Sequence, residues 1–183
     1  MLRRIVPALI ALAVMSLAAC GPGPADTADA QPGGKTELHA SRAKDFKSIS
    51  DLRAESTAII RAVAEDSVVD TLNGLPITIT TVRVTKILWG KVPTEKIFIQ
   101  QVGDSSMILH DTGPLLEKDR EYLLFVTPFH LTPNDDTGRY VITGNQGNFV
   151  LESGTTNFRF AGAGDPPLLP RTLRPQDISS EAR

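Results

Sequence analysis

Residues 57–89 read TAIIRAVAEDSVVDTLNGLPITITTVRVTKILW. The first half is a long apolar and β-branched run, and Asn73-Gly74 interrupts it with two residues that tolerate positive φ, the strongest short-range signal for a hairpin. The returning half alternates, with Ile77 and Ile79 on one parity and Val82 and Val84 on the other. Side chains of a strand point to opposite faces in turn. The parity change near Thr80-Thr81 therefore predicts a β-bulge that keeps both pairs on the core side. Long, bulged strands are how a sheet bends toward a barrel.

Downstream, Gly90 and Pro93 mark a loop and KIFIQQVG supplies a third strand at residues 96–103. EYLLFVTPF, residues 121–129, is apolar without alternation, the pattern of a strand covered on both faces. RYVIT (139–143) and NFVLE (148–152), joined by Gly144-Asn145-Gln146-Gly147, read as a second hairpin, and FRF (158–160) as a short edge strand. Upstream, FKSISDLRAES (46–56) spaces Phe46, Ile49 and Leu52 three apart, one face of a short helix. The segment 163–183 carries four prolines and no periodicity, which predicts an irregular C-terminal tail. With no βαβ alternation, the expected fold is mainly β: a small antiparallel barrel or sandwich over residues 46–162 with one short N-terminal helix.

The chain begins with Arg3-Arg4 and an apolar run from Ile5 to Ala19, the charged start and hydrophobic stretch of a secretory signal over residues 1–19. That run is shorter than the roughly 20 apolar residues a spanning helix needs. Its end, Leu17-Ala18-Ala19-Cys20, resembles the lipobox of bacterial lipoproteins. The resemblance implies cleavage before Cys20, attachment of a diacylglycerol to its thiol, and anchoring at the extracytoplasmic face of a bacterial membrane. Two acyl chains anchor durably where one is marginal. Residues 20–45 then form the lipidated cysteine and a disordered tether rich in Gly, Pro, Ala and Asp, with a reach of about 25–30 Å.

Removing residues 1–19 leaves 164 of the 183 residues and takes away Arg3 and Arg4, moving the formal net charge from −2 to −4. An acidic chain lacks the electrostatic footprint of a nucleic-acid binder. Cys20 is the only cysteine, so once acylated it leaves no thiol for a disulfide, and the domain depends on a hydrophobic core.

Within the domain, VRVTKILWGKVP, IFIQQVGD, LLEKDREYLLFV and GNQGNFVLE, over about residues 57–152, resemble the OB-like barrels of netrin-like and metalloproteinase-inhibitor-like domains found in bacterial envelope proteins. That group tends to carry a glycine just before the Tyr-Leu-Leu-Phe strand, where this chain has Lys118-Asp119. Metalloproteinase-inhibitor-like domains present an N-terminal cysteine to a metal and are laced with disulfides. Here the one cysteine is read as acylated, so inhibition does not carry over.

Candidate chemistry is sparse. His39 lies in the tether, and His110 and His130 at loop edges, with no ligand spacing between them. Asp104, Ser105, Ser106, His110 and Asp111 cluster within eight residues, but no G-x-S-x-G elbow accompanies them, and triad members normally come from separate elements. Asp135-Asp136 reads as a loop tip, and the acidic spacing of a calcium loop is missing. Trp89, Tyr122, Tyr140 and Phe149 suggest a groove or, for Tyr122 and Phe149, core positions. No cofactor signature is present. The expected function is therefore a lipid-anchored extracytoplasmic binding or interaction module, held to the membrane through diacylglyceryl-Cys20 and meeting a protein or polysaccharide partner. The alternative is an envelope hydrolase whose site is assembled from dispersed residues.

Overall fold

The computed structural model describes residues 36–39, 44–110, 112–133, 135–162 and 169–180. They belong to one unit, Lys35–Arg183. The expected signal (1–19), Cys20 and most of the expected tether lie outside the described residues. In chain order the elements are β1 (Thr36–His39), α1 (Ile49–Ala54), β2 (Ala58–Leu72), β3 (Leu75–Gly90), β4 (Lys96–Val102), β5 (Met107–His110) and β6 (Glu121–Pro128). They continue with β7 (Arg139–Ile142), a 3₁₀ turn (Thr143–Asn145), β8 (Asn148–Leu151), β9 (Phe158–Phe160), β10 (Thr172–Leu173) and α2 (Pro175–Ser180). The protein is mainly β, and among the described residues no helix is long and apolar enough to cross a membrane.

The β2–β3 hairpin turns at Asn73 and Gly74, whose φ angles of 51° and 80° match the right-handed twist of the flanking strands. A bulge does lie opposite Thr80-Thr81, but the extra residue is on the partner strand. Ala64 pairs with Val82 and Ser67 with Thr80, so β2 advances three residues while β3 advances two. The two carboxylates at this bulge meet cations from neighbouring elements: Glu65 lies 2.6 Å from Lys96 and 3.3 Å from Arg83, and Asp66 lies 2.6 Å from Lys118. The hydrogen bond from Lys96 holds the Glu65 carboxyl below its ordinary range, and the one from Lys118 does the same for Asp66.

Strand pairing runs β2–β3–β4–β7–β6 and back to β2, a partial ring within one eight-stranded sheet. All of these joins are antiparallel except β4–β7. Inside the ring lie Ile60, Ala62, Val82, Ile99, Leu124 and Val126, all fully buried. The outward faces of β2 and β6 build a second core. There Ile59, Leu123 and Phe125 pack with Phe46, Ile49 and Leu52 around α1 and with Phe149, Phe158 and Phe160 from β8 and β9. As expected of a strand covered on both faces, β6 buries Tyr122 to Val126 without a break, alternate residues entering alternate cores.

Helix α1 forms where the Phe46-Ile49-Leu52 spacing predicts it. Ser48 caps it by accepting a hydrogen bond from the Asp51 N–H at 3.0 Å.

Four local expectations are corrected. RYVIT and NFVLE do not form a hairpin. β7 and β8 both run antiparallel to β6, one along Val126–Pro128 and the other along Tyr122–Leu124. The Gly-Asn-Gln-Gly segment is a kink inside one interrupted strand, with Gly144 at φ 59° and Asn145 at φ 56°. It sends β7 to β4, closing the ring, and β8 away to β9.

β9 is not the edge of the sheet, because β10 pairs with it. The segment 163–183 is not irregular throughout. Residues 163–168 and 181–183 lie outside the described residues, but Leu169, Leu173 and Ile178 are buried in the outer core. Their spacing follows neither period because each enters the core from a different local structure. Pro175 sits in the first turn of α2, and the Arg174 N–H donates to Asp177 at 2.9 Å, so the proline that reads as a breaker starts a second short helix. Finally, β1 falls within the expected tether and pairs in parallel with β5.

Candidate functional site

A cleft of 610 Å³ opens where the sheet leaves the ring. Its floor is a row of cross-strand partners: Tyr122 on β6 faces Val150 on β8, Val150 faces Arg159 on β9, and Arg159 faces Thr172 on β10. The row runs from buried to exposed, Tyr122 and Val150 being 3% exposed while Arg159 and Thr172 are open to solvent. The alternation of β9 explains this. Phe158 and Phe160 enter the outer core, and Arg159 between them projects from the opposite face.

Three arginines from separate places in the chain line the cleft: Arg120 just before β6, Arg159 within β9 and Arg171 just before β10. Among the described residues, the carboxylate in the lining is Glu117, which accepts a hydrogen bond from Arg120 at 2.7 Å. That bond raises the Arg120 guanidinium pKa further. Arg159 has no ion-pair partner among the described residues. The Tyr122 hydroxyl accepts a hydrogen bond from the Glu117 N–H at 2.8 Å, and burial pushes its phenol pKa above the ordinary 10.0. Phe160, at the rim, is fixed by its N–H donating to the Arg171 carbonyl at 2.8 Å. Among the described residues, the lining thus holds three arginines and one glutamate, in a chain of net charge −2.

The residues singled out from sequence do not converge on this cleft, apart from Tyr122. The Ser106 hydroxyl donates to Asp104 at 2.5 Å and the Ser106 N–H to the same oxygen at 2.7 Å, a turn that leads into β5. These bonds hold the Asp104 carboxyl below its ordinary range. Asp111 lies outside the described residues. His110 ends β5 opposite His39 in the β1 register. His130 is bonded through Nδ1 to the Asp135 carbonyl, and Asp136 accepts from the Gly138 N–H at 3.0 Å, closing the loop tip.

Among the described residues no three His, Cys, Asp or Glu side chains group as metal ligands. Phe149 is a core residue, and Trp89 is half-buried under the Arg53 guanidinium, 5.1 Å from the ring centroid. The arginines escaped the sequence reading because nothing in their spacing joins them. The one local signal was Arg159 set between two phenylalanines.

Set against known proteins, the chain matches no protein-family model and no curated protein.

Proposed function

We propose that the chain is an exported lipoprotein, anchored through Cys20 to the extracytoplasmic face of a bacterial membrane, whose OB-like barrel carries a non-catalytic binding site in the arginine-lined cleft. The observation that carries the binding reading is the floor row Tyr122-Val150-Arg159-Thr172, which places a charged fork and a hydroxyl beside buried apolar surface. A few polar groups on an apolar floor is the usual build of a ligand site.

Two features support the OB-like, netrin-like resemblance. The five-strand ring has a Greek-key order with a single parallel join, β4–β7. Asp119 adopts φ 62°, a conformation glycine takes without strain, at the turn where the resembling domains tend to carry glycine. Many OB folds bind along their second and third strands, here β3 and β4. The cleft lies instead on the β8–β10 extension, so the ligand expected here differs from an oligonucleotide.

The anchor is tested by replacing Cys20 with Ser, which should abolish incorporation of labelled fatty acid and release the protein from the membrane fraction. The site is tested by a photo-cross-linking residue at Thr172 in intact envelopes. It should capture a reproducible adduct that the same probe at Lys91, outside the cleft lining, does not. Turnover of an envelope polymer by the purified protein would overturn the non-catalytic reading.

A further inference from the structure

We infer that the far half of β2, Ser67 to Leu72, pairs with the same strand of a second copy of the chain, joining the two sheets across a two-fold axis at Val69. β6 accompanies β2 only from Ala58 to Val63, and the last bonds on that edge join Ala64 to Asp119 and Arg120. From Ser67 to Leu72, β2 is paired with β3 alone among the described residues. Val68 and Val69 are 61% and 62% exposed there, so nothing covers the edge.

The hairpin determines which backbone groups face that edge. Leu72 and Leu75 close a two-residue turn, so Leu72, Asp70 and Val68 bond to β3, while Thr71, Val69 and Ser67 turn their N–H and C=O groups away from it. Two contacts agree. The Thr71 N–H donates to the Asp70 carboxylate at 2.8 Å instead of to a strand. Ser67 Oγ lies 2.9 Å from Thr80 Oγ1, the closer side-chain approach of a non-hydrogen-bonded pair. The usual guards of an edge strand, lysine, proline or a bulge, are absent from Ser67 to Leu72.

The strand is complementary to itself in one register. Antiparallel pairing about Val69 sets Val69 against Val69, Ser67 against Thr71 and Val68 against Asp70. The edge-facing backbone groups then exchange hydrogen bonds, and no carboxylate stands directly opposite another. Centring one residue earlier puts Asp66 opposite Asp70, and one residue later puts Asp70 opposite itself. The contact is isologous and uses up both edges, so assembly stops at a dimer. A seam of this length buries less than the roughly 1,200–2,000 Å² of a stable interface, so the pair exchanges with monomer.

Single cysteines placed in the full-length protein, purified in neutral detergent and oxidised, test this pairing. Facing Cα atoms of a hydrogen-bonded pair stand about 5.5 Å apart, within disulfide reach. Val69→Cys should therefore give a disulfide-linked dimer above the background set by the parent, which carries Cys20 alone. Thr71 is also exposed but faces Ser67, so Thr71→Cys should give about tenfold less, its partner thiol lying out of reach. Adding Ser67→Cys to Thr71→Cys should restore the dimer. No dimer from Val69→Cys, equal dimer from Thr71→Cys, or no restoration by the double variant would overturn the proposal.

Discussion

The backbone N–H of Phe46 donates to the side-chain Oε1 of Gln146 across 2.8 Å, with both residues buried. This bond ties the entry of α1 to the kink between β7 and β8, the point where the chain leaves the ring. Gln146→Leu removes the acceptor and strands a buried N–H, which should cost about 1–3 kcal/mol. Equilibrium urea unfolding measures it. A loss near zero would mean that the kink holds without the bond.

Gly90 and Gly74 both have positive φ, 71° and 80°, but their surroundings differ. A Cβ on Gly90 would stand 2.0 Å from the Thr57 carbonyl oxygen and 2.9 Å from Ala58 Cα, whereas one on Gly74 would meet nothing within 4 Å. Gly74→Ala should therefore cost only the left-handed penalty of about 1–2 kcal/mol. Gly90→Ala should cost that and a further 1–3 kcal/mol or so from forced backbone movement. Thermal unfolding of the two variants side by side checks the difference, and equal losses would remove the clash as its cause.

Asp119 bears the converse strain. At φ 62° it pays for a conformation that glycine adopts freely, while its N–H donates to the Ala64 carbonyl at 2.8 Å. Asp119→Gly should be neutral or stabilising by up to about 1 kcal/mol, relief of strain being set against the greater freedom of the unfolded glycine. Asp119→Val, with a branched side chain in the same place, should destabilise. If both substitutions lower the midpoint of unfolding equally, the backbone at this turn is not what distinguishes them.

The parts of the fold legible in the sequence are those where the signal is local. Asn73-Gly74 forms its turn from its own φ preferences, Phe46, Ile49 and Leu52 face one way by helical period, and Tyr122 to Val126 need no partner to read as doubly covered. Pairing partners are not local. NFVLE alternates equally well beside RYVIT or beside EYLLFV, and only burial of Phe149 against Phe125, ring centroids 6.1 Å apart, selects the second. The cleft was illegible for the same reason. Arg120, Arg159 and Arg171 meet only once β6, β8, β9 and β10 lie side by side.

Tyr122 makes alkaline stability sensitive to the cleft floor. Burial raises its folded pKa above the unfolded 10.0, so between the two values the unfolded phenol has lost its proton and the folded one has not. The contribution is complete below pH 10.0 and is lost as pH rises through the folded value. Tyr122→Phe should flatten this part of the decline. The substitution also removes the acceptor of the Glu117 N–H, which shifts the whole curve but not its slope with pH. Tyr140, whose phenol is also raised, by partial burial and by Asp136, should keep a residual slope. Unfolding free energies of parent and variant from about pH 8 to 11 test this, and parallel curves would exclude Tyr122 as the source.

Leu124 and Phe125 are neighbours in sequence and both fully buried, yet they belong to different cores: Leu124 inside the ring with Ile60, Ile99 and Val126, Phe125 outside it with Ile59 and Phe149. Leu124→Ala should cost about 2–5 kcal/mol and Phe125→Ala about 3–5, each through lost transfer energy and the cavity left behind. Against a typical total of about 5–15 kcal/mol, either variant should unfold far earlier than the parent. The two cavities open on opposite faces of one strand, so the consequences should differ in kind. Leu124→Ala should speed amide exchange in the ring strands β3 and β4, and Phe125→Ala in α1 and β9. Hydrogen exchange resolved by element distinguishes these patterns. If either substitution costs under about 1 kcal/mol, as at an exposed site, or if both loosen the same elements, β6 is not the wall between two cores and the ring as described is wrong.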